Sequence, residues 1–157
     1  MSRPILVRAA TIGDLEAVAR SFHALWPEGS LVEHRADAEA ILRGAPPSSL
    51  PLVVLVATDG EDGEILGVIE VGLRSHADGC DARHPVGFIE GWYVEPAHRA
   101  RGVGRALMRA AEDWSKAQGC REVASDTWAD HEPSQRAHEA LGFEVVDRCV
   151  HFRKALA

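Results

Sequence analysis

Residues 86–118 restrict the fold more than any other part of the chain. Val86 to Val94, VGFIEGWYV, is an apolar run of strand length that stops at Glu95-Pro96. The pattern Arg99-x-x-Gly102-x-Gly104 follows. From Gly102 to Gln118 apolar residues then recur at helical spacing, with Val103, Ala106, Leu107, Ala110, Ala111 and Trp114 on one stripe. The first amides of that helix have no partner within it, and the aligned peptide dipoles add positive partial charge at the same end. Glycines at 102 and 104 remove side chains that would keep a phosphate from those amides, and Arg99, Arg101 and Arg105 add full charges. The turn therefore reads as a pyrophosphate cradle. Its plainer reading is a glycine-rich helix start with surface arginines. No Gly-Lys-Ser/Thr follows, as a triphosphate-binding loop requires, and the third glycine and downstream acid of the dinucleotide fingerprint are missing.

The rest of the chain places this unit in a layered α/β domain. Residues 4–8 and 52–58 read as strands, 65–73 as a third, and 122–126 as a short one. Thr11 or Asp14 caps a helix running to about Leu25. A second helix runs from about Val32 to Gly44, and another from Glu132 or Ser134 to Leu141, where Gly142 stops it. Residues 144–154 are expected to add one or two final strands. The sum is an α/β fold: a mixed central β-sheet flanked by helices, one domain over residues 1–157. The formal charge of −7, from 24 acids against 17 bases, disfavours nucleic acid and suits a cationic ligand. Cys80, Cys120 and Cys149 are scattered and odd in number, which points away from a disulfide framework or zinc site and towards the reducing cytoplasm. No apolar run is long enough to cross a bilayer.

FIEGWYVEPAHRARGVGRALM, with the later HEALGF, resembles the paired signatures of the GCN5-related N-acetyltransferases (GNAT superfamily). FIEGWYV, ASDT, SQRAHEALGFEVVDR, HFRK and the Leu25-Trp26-Pro27 step are similar to the aminoglycoside 6′-N-acetyltransferases of bacteria. That resemblance implies acetyl transfer from acetyl-coenzyme A to a primary amine, without a metal. It implies that the acceptor is the 6′-amine of an aminoglycoside, a cationic small molecule, and that the enzyme is a homodimer serving antibiotic resistance. Carried over by position, the backbone of Trp92, Tyr93 and Val94 lines the pantetheine arm and polarises the thioester carbonyl. Arg99, Ala100, Arg101, Gly102, Val103, Gly104 and Arg105 hold the pyrophosphate, and His131 joins the donor site. Trp26, Glu90, Asp126 and Asp147 line the acceptor pocket, with Glu90 and Asp126 as the catalytic pair. His131 stands where many family members have asparagine, and His138 where many have a tyrosine general acid. The loop 74–84 lacks a tyrosine found beside the acceptor in similar proteins.

The residues carry bland readings beside these. Glu90 sits within an apolar strand, where a carboxylate needs a partner or a cavity, unless the strand edge is solvated. Asp126 follows a strand, either lining a crevice or capping a turn. Asp147 reads as an acceptor contact or an exposed strand end, and Trp26 as a pocket wall or a buried anchor. His138 reads as the acid for the leaving thiolate or as a core histidine. An amine attacks only when neutral. An aspartate of pKa about 3.9 facing an ammonium of pKa about 8 is uphill by roughly 5–6 kcal/mol. Either burial raises one carboxylate, or the acids orient the amine and take its proton late. The alternatives in function are a polyamine, small metabolite amine or peptide amine as acceptor, and a non-catalytic module that binds acyl-coenzyme A.

Overall fold

The computed structural model describes residues 3–157. The order of elements is β1 (Ile5–Ala9), α1 (Leu15–Leu25), α2 (Leu31–Leu42), β2 (Leu52–Asp59), β3 (Ile65–Arg74), β4 (Val86–Val94), α3 (Val103–Ala117), β5 (Val123–Ser125) and α4 (Glu132–Glu139). The strands form one five-stranded sheet in the order β1-β2-β3-β4-β5. The first four are antiparallel neighbours, and β5 runs parallel to β4.

Period-two alternation divides the sheet into two faces. Val54, Val56 and Val68 project one way and meet Leu15, Val18 and Phe22 of α1 and Ala38 of α2. Leu55, Ile69, Val71 and Ile89 project the other way and meet Val103, Leu107, Met108 and Ala111 of α3, so the expected helical stripe is the buried one. Helix α2 begins at a reciprocal cap: Ser30 N–H donates to the Glu33 carboxylate at 2.8 Å, and the Glu33 amide donates to Ser30 Oγ at 3.2 Å.

Two irregularities in β4 shape the site. The β3–β4 register passes from Glu70↔Gly91 to Val71↔Ile89, so Glu90 is the extra residue of a β-bulge. Further along, β4 pairs with β5 only through Gly87↔Val123, Phe88↔Ala124 and Ile89↔Ser125. Beyond Ile89 the two strands part, and the last turn of β4 faces an opening.

The final strands expected over residues 144–154 are absent: residues 144–157 contain neither strand nor helix. Val145, Val146, Val150, Phe152 and Leu156 are exposed, Phe152 to 92 %. The β-branched pattern supplies propensity, but a strand needs a neighbour to complete its ladder. The edge strand β5 is only three residues long, so its free side offers a short ladder. The tail touches the body where Val146 lies against Gly79 and where the His151 ring packs edge-on to Trp128, centroids 6.4 Å apart.

Candidate active site

Helix α3 opens without a side-chain cap, on Gly102 at φ +85° and ψ 2°. The first amide bonded within the helix is that of Ala106, to the Gly102 carbonyl at 3.0 Å. The amides of Val103, Gly104 and Arg105 are therefore free of intrahelical partners, and no acid sits in the first turn. Ala100 is also left-handed, at φ +59°, the only described non-glycine residue with positive φ. Such a conformation costs roughly 1–2 kcal/mol, and left-handed residues in a turn bring successive N–H groups into a concave anion-binding array. Arg99 Nε donates to the Val94 carbonyl at 3.0 Å, which ties the turn to the strand end. Arg101 donates to His98 Nδ1 at 2.8 Å, leaving the His98 Nε2 hydrogen for Glu64 at 3.3 Å. Arg105 is exposed on the first turn. The two glycines act differently from one another. A Cβ on Gly102 would meet nothing, so glycine is required there by φ alone. A Cβ on Gly104 would lie 3.1 Å from the Trp92 ring, so Gly104 admits a protein side chain rather than a phosphate.

The donor slot follows from the splay. The Glu95 amide donates to the Leu66 carbonyl at 2.9 Å. By the alternation of an antiparallel ladder, Tyr93 then also turns its N–H and C=O towards β3, while Trp92 and Val94 turn theirs towards the opening beside β5. Of the three backbone segments expected to line the donor, Trp92 and Val94 have open N–H groups and Tyr93 does not. The Trp92 side chain faces the α3 side, edge-on to the His138 ring at 5.2 Å, and its buried Nε1 has no partner among the described residues.

The acids gather on the opposite face, the α1–α2 side. The bulge keeps Glu90 and Gly91 both on that face: a Cβ on Gly91 would touch Leu25 and Trp26 at 2.9 Å. Trp26 is thus packed against Gly91, the residue after Glu90, and edge-on to Phe22 at 5.4 Å. The partner that Glu90 requires is Arg74, whose Nε and guanidinium nitrogen donate to the two carboxylate oxygens at 3.0 and 2.9 Å. Arg74 in turn lies 3.4 Å from the centre of the Phe88 ring. A hollow of about 330 Å³ beside this pair is lined by Ser48, Leu50, Arg74, His76 and Glu90. Ser125, the last residue of β5, points to the α4 side, where its Oγ meets His138 Nε2 at 2.8 Å. Asp126 follows Ser125 just beyond the end of β5 and is exposed.

The remaining candidates sit apart from that pair. His131 is exposed at the N-cap of α4, its Nδ1 3.5 Å from Thr127 Oγ1. His138 is held at both nitrogens: Nδ1 donates to the Ser134 carbonyl at 2.7 Å, so Nε2 accepts from Ser125. Its ring is also edge-on to Phe143, so the core-histidine reading describes the resting state. Asp147 lies in the exposed tail, where its carboxylate accepts from the Arg148 amide at 2.7 Å, and no described contact joins it to Glu90 or Asp126. Glu70, which sequence reasoning passed over, lies on β3 opposite Gly91 and only 9 % exposed. Its signal was present in ILGVIEVGLR, a lone acid in an apolar run, the same cue that singled out Glu90. Burial, and the charges of Glu90 and Asp37, push its carboxyl up to about 7. Among the described residues no cluster of three His, Cys, Asp or Glu side chains is arranged to hold a metal ion.

A bulged strand that parts from its neighbour, with an uncapped cationic helix turn at the opening, defines a transferase that takes an acyl group from a nucleotide thioester. The chain belongs to the acetyltransferase (GNAT) family, whose model matches residues 15–143. It is 43% identical over 132 residues to the aminoglycoside N(6′)-acetyltransferase type 1 of Klebsiella aerogenes, covering 84% of each chain. To the enzyme of the same name from Stenotrophomonas maltophilia it is 39% identical over 156 residues, covering 96% of this chain and 93% of that one. Among solved structures, AAC(6′)-Iy in complex with the bisubstrate analogue CoA-S-monomethyl-acetylneamine superimposes with a TM-score of 0.84 at 35% identity, covering 98% of this chain and 99% of that one. The same enzyme in complex with CoA gives 0.86 at 34% identity, covering 99% and 98%.

Proposed function

We propose that this chain transfers the acetyl group of acetyl-coenzyme A to the 6′-amine of aminoglycosides, and so confers resistance to them. The observation that carries this reading is the junction at the end of β4. A free, cationic amide turn lies on one side of it, Glu90 is held by Arg74 on the other, and Asp126 follows the end of β5. The amides of 103–105 with Arg99, Ala100, Arg101 and Gly102 hold the diphosphate of coenzyme A, and His131 stands near the arm's exit. The open N–H groups of Trp92 and Val94 receive the pantetheine and the thioester oxygen, which gains charge as the amine attacks. Glu90 and Asp126 accept hydrogen bonds from the ammonium of the acceptor, with Trp26 as a wall. The kinship to enzymes named for aminoglycosides at up to 43% identity supports the acceptor class. The test is incubation with acetyl-coenzyme A and kanamycin. Release of free thiol with acetate on the 6′-nitrogen is expected. No thiol and no acetylated kanamycin, with spermidine or a peptide amine turned over instead, would reassign the acceptor.

We propose further that residues 1–157 act as one domain, that two copies form a homodimer, and that the enzyme works in the cytoplasm on small cationic amines rather than on nucleic acid or membranes. The tail supports the dimer, because its exposed apolar residues lack the neighbour that a second copy's sheet edge supplies. In that assembly Asp147 joins an acceptor pocket. Sedimentation should give twice the chain mass for the full protein and the single mass after truncation at Phe143. Equal masses would remove the tail from the interface. No helix among the described residues is long and apolar enough to cross a membrane.

A further inference from the structure

Glu70 is an acid that the chemistry described so far leaves unused. Its side chain is nine-tenths buried on the face of β3 that meets α1 and α2, opposite Gly91 and beside the bulged Glu90. No hydrogen bond or cation among the described residues stabilises its carboxylate. On the elements packed there, Glu90 on β4, Arg74 on β3, Asp37 and His34 on α2 and His23 on α1 are titratable; the other charged groups of α1 and α2 are engaged elsewhere or exposed, Arg35 with Glu16 and Glu39, Glu33 at the Ser30 cap, and Arg20 in solvent. Arg74 is committed to Glu90, and His34 Nε2 to the Trp26 carbonyl at 2.7 Å. The His23 ring packs on that of His34, centroids 5.7 Å apart. Every charge that acts on Glu70 is therefore an acid, Glu90 first and then Asp37. A buried, unpartnered carboxyl among acids holds its proton to higher pH than an exposed one, and an arriving cation favours its ionised form.

We propose that Glu70 is the positioning residue that receives, through Glu90, the proton the acceptor ammonium must lose. This rests on the acceptor site proposed above. The seated polycation draws Glu70 into its ionised form, and its resting proton leaves to solvent. The ammonium then gives one proton to Glu90, which passes one to Glu70. The freed nitrogen pair forms the C–N bond as the C–S bond breaks. The second nitrogen proton ends on the coenzyme A thiolate, and Glu70 is left protonated as it began, so each turnover yields amide, free thiol and the one proton that left when the polycation was seated. A carboxyl that titrates near neutrality accepts this proton with far less cost than one in the usual range.

The test compares kcat at saturating kanamycin from pH 5.5 to pH 9 for the wild type, Glu70→Gln and Glu70→Asp. The acceptor's own amine titrates alike in all three, so a difference belongs to Glu70. A proton acceptor contributes about 100-fold or more, so kcat of Glu70→Gln at pH 7 should fall by about 100-fold or more with KM little changed. Its ionisation limb near neutrality should vanish, and Glu70→Asp should restore it. The same limb and kcat in all three would overturn the proposal. A carbon-13 titration of the glutamate carboxyls in the wild type needs no variant. Glu70 should titrate near neutrality alone and at lower pH with kanamycin added. A Glu70 signal that kanamycin leaves unmoved, in a sample that acetylates kanamycin, would also overturn it. A sample that fails to acetylate kanamycin counts instead against the acceptor assigned above.

Discussion

Replacing Glu70 by glutamine should stabilise the protein at high pH and not at low pH. In the folded chain the carboxyl is pushed from 4.5 up to about 7, by burial first and by the Glu90 and Asp37 charges second. The folded state therefore holds a proton that the unfolded state has already released. Below pH 4.5 both states are protonated and the residue is harmless. As pH rises from 4.5 through 7 the unfolded state is favoured by its free ionisation, so stability falls, and above 7 the loss is complete. At about 1.4 kcal/mol per pH unit, the distance from 4.5 to about 7 is worth about 3 kcal/mol. Glutamine fills the same space without the charge, so the difference isolates this one group. Urea unfolding of both proteins at pH 4.5, 6 and 8 reads it directly. The advantage of Glu70→Gln should grow by about 3 kcal/mol across that range, most of it between pH 5 and 7.5. A difference independent of pH would mean that Glu70 ionises as an exposed glutamate does, and the reasoning from burial would fail.

Three further changes test the parts of the site separately. Arg99→Ala combined with Arg101→Ala should raise KM for acetyl-coenzyme A by about tenfold or more, as expected for lost charged hydrogen bonds, and leave KM for kanamycin nearly unchanged; the reverse order in steady-state kinetics would place these arginines elsewhere. Asp126→Asn should lower kcat with the urea midpoint unchanged, since the residue is exposed beyond β5; an unaltered kcat removes it from the reaction. Gly102→Ala forces a side chain to φ +85° and should cost about 1 kcal/mol with Trp92 fluorescence as in the wild type, whereas Gly104→Ala presses on the Trp92 ring and should shift that emission; equal spectra would refute the division of roles.

The legible parts of the molecule were the local ones. The β4 strand, the turn from 99 to 105 and α3 lie within one continuous stretch, and apolar spacing, proline and glycine each leave a mark in sequence order. Even there the reason for Gly104 was not legible, because the contact that requires it belongs to Trp92 on another element. The acids were legible by oddness and not by role. Glu90 stood out in its strand, yet its pairing with Arg74 depends on which residue the bulge throws to which face. Glu70 carried the same cue in ILGVIEVGLR, but its environment depends on the register of three strands and the approach of α2, which sequence order does not show. Residues 144–154 misled for the opposite reason. Their pattern states a local preference correctly, while the edge beside them, β5, is only three residues long and gives little ladder to build on.

The most direct measurement is a crystal structure of the protein with coenzyme A and kanamycin bound together. The diphosphate should lie on the amides of Val103, Gly104 and Arg105, the pantetheine between β4 and β5, and the 6′-nitrogen within about 3.2 Å of a carboxylate oxygen of Glu90 or Asp126. A diphosphate bound away from the start of α3, or an acceptor nitrogen distant from both acids and from the coenzyme A sulfur, would contradict the assignment.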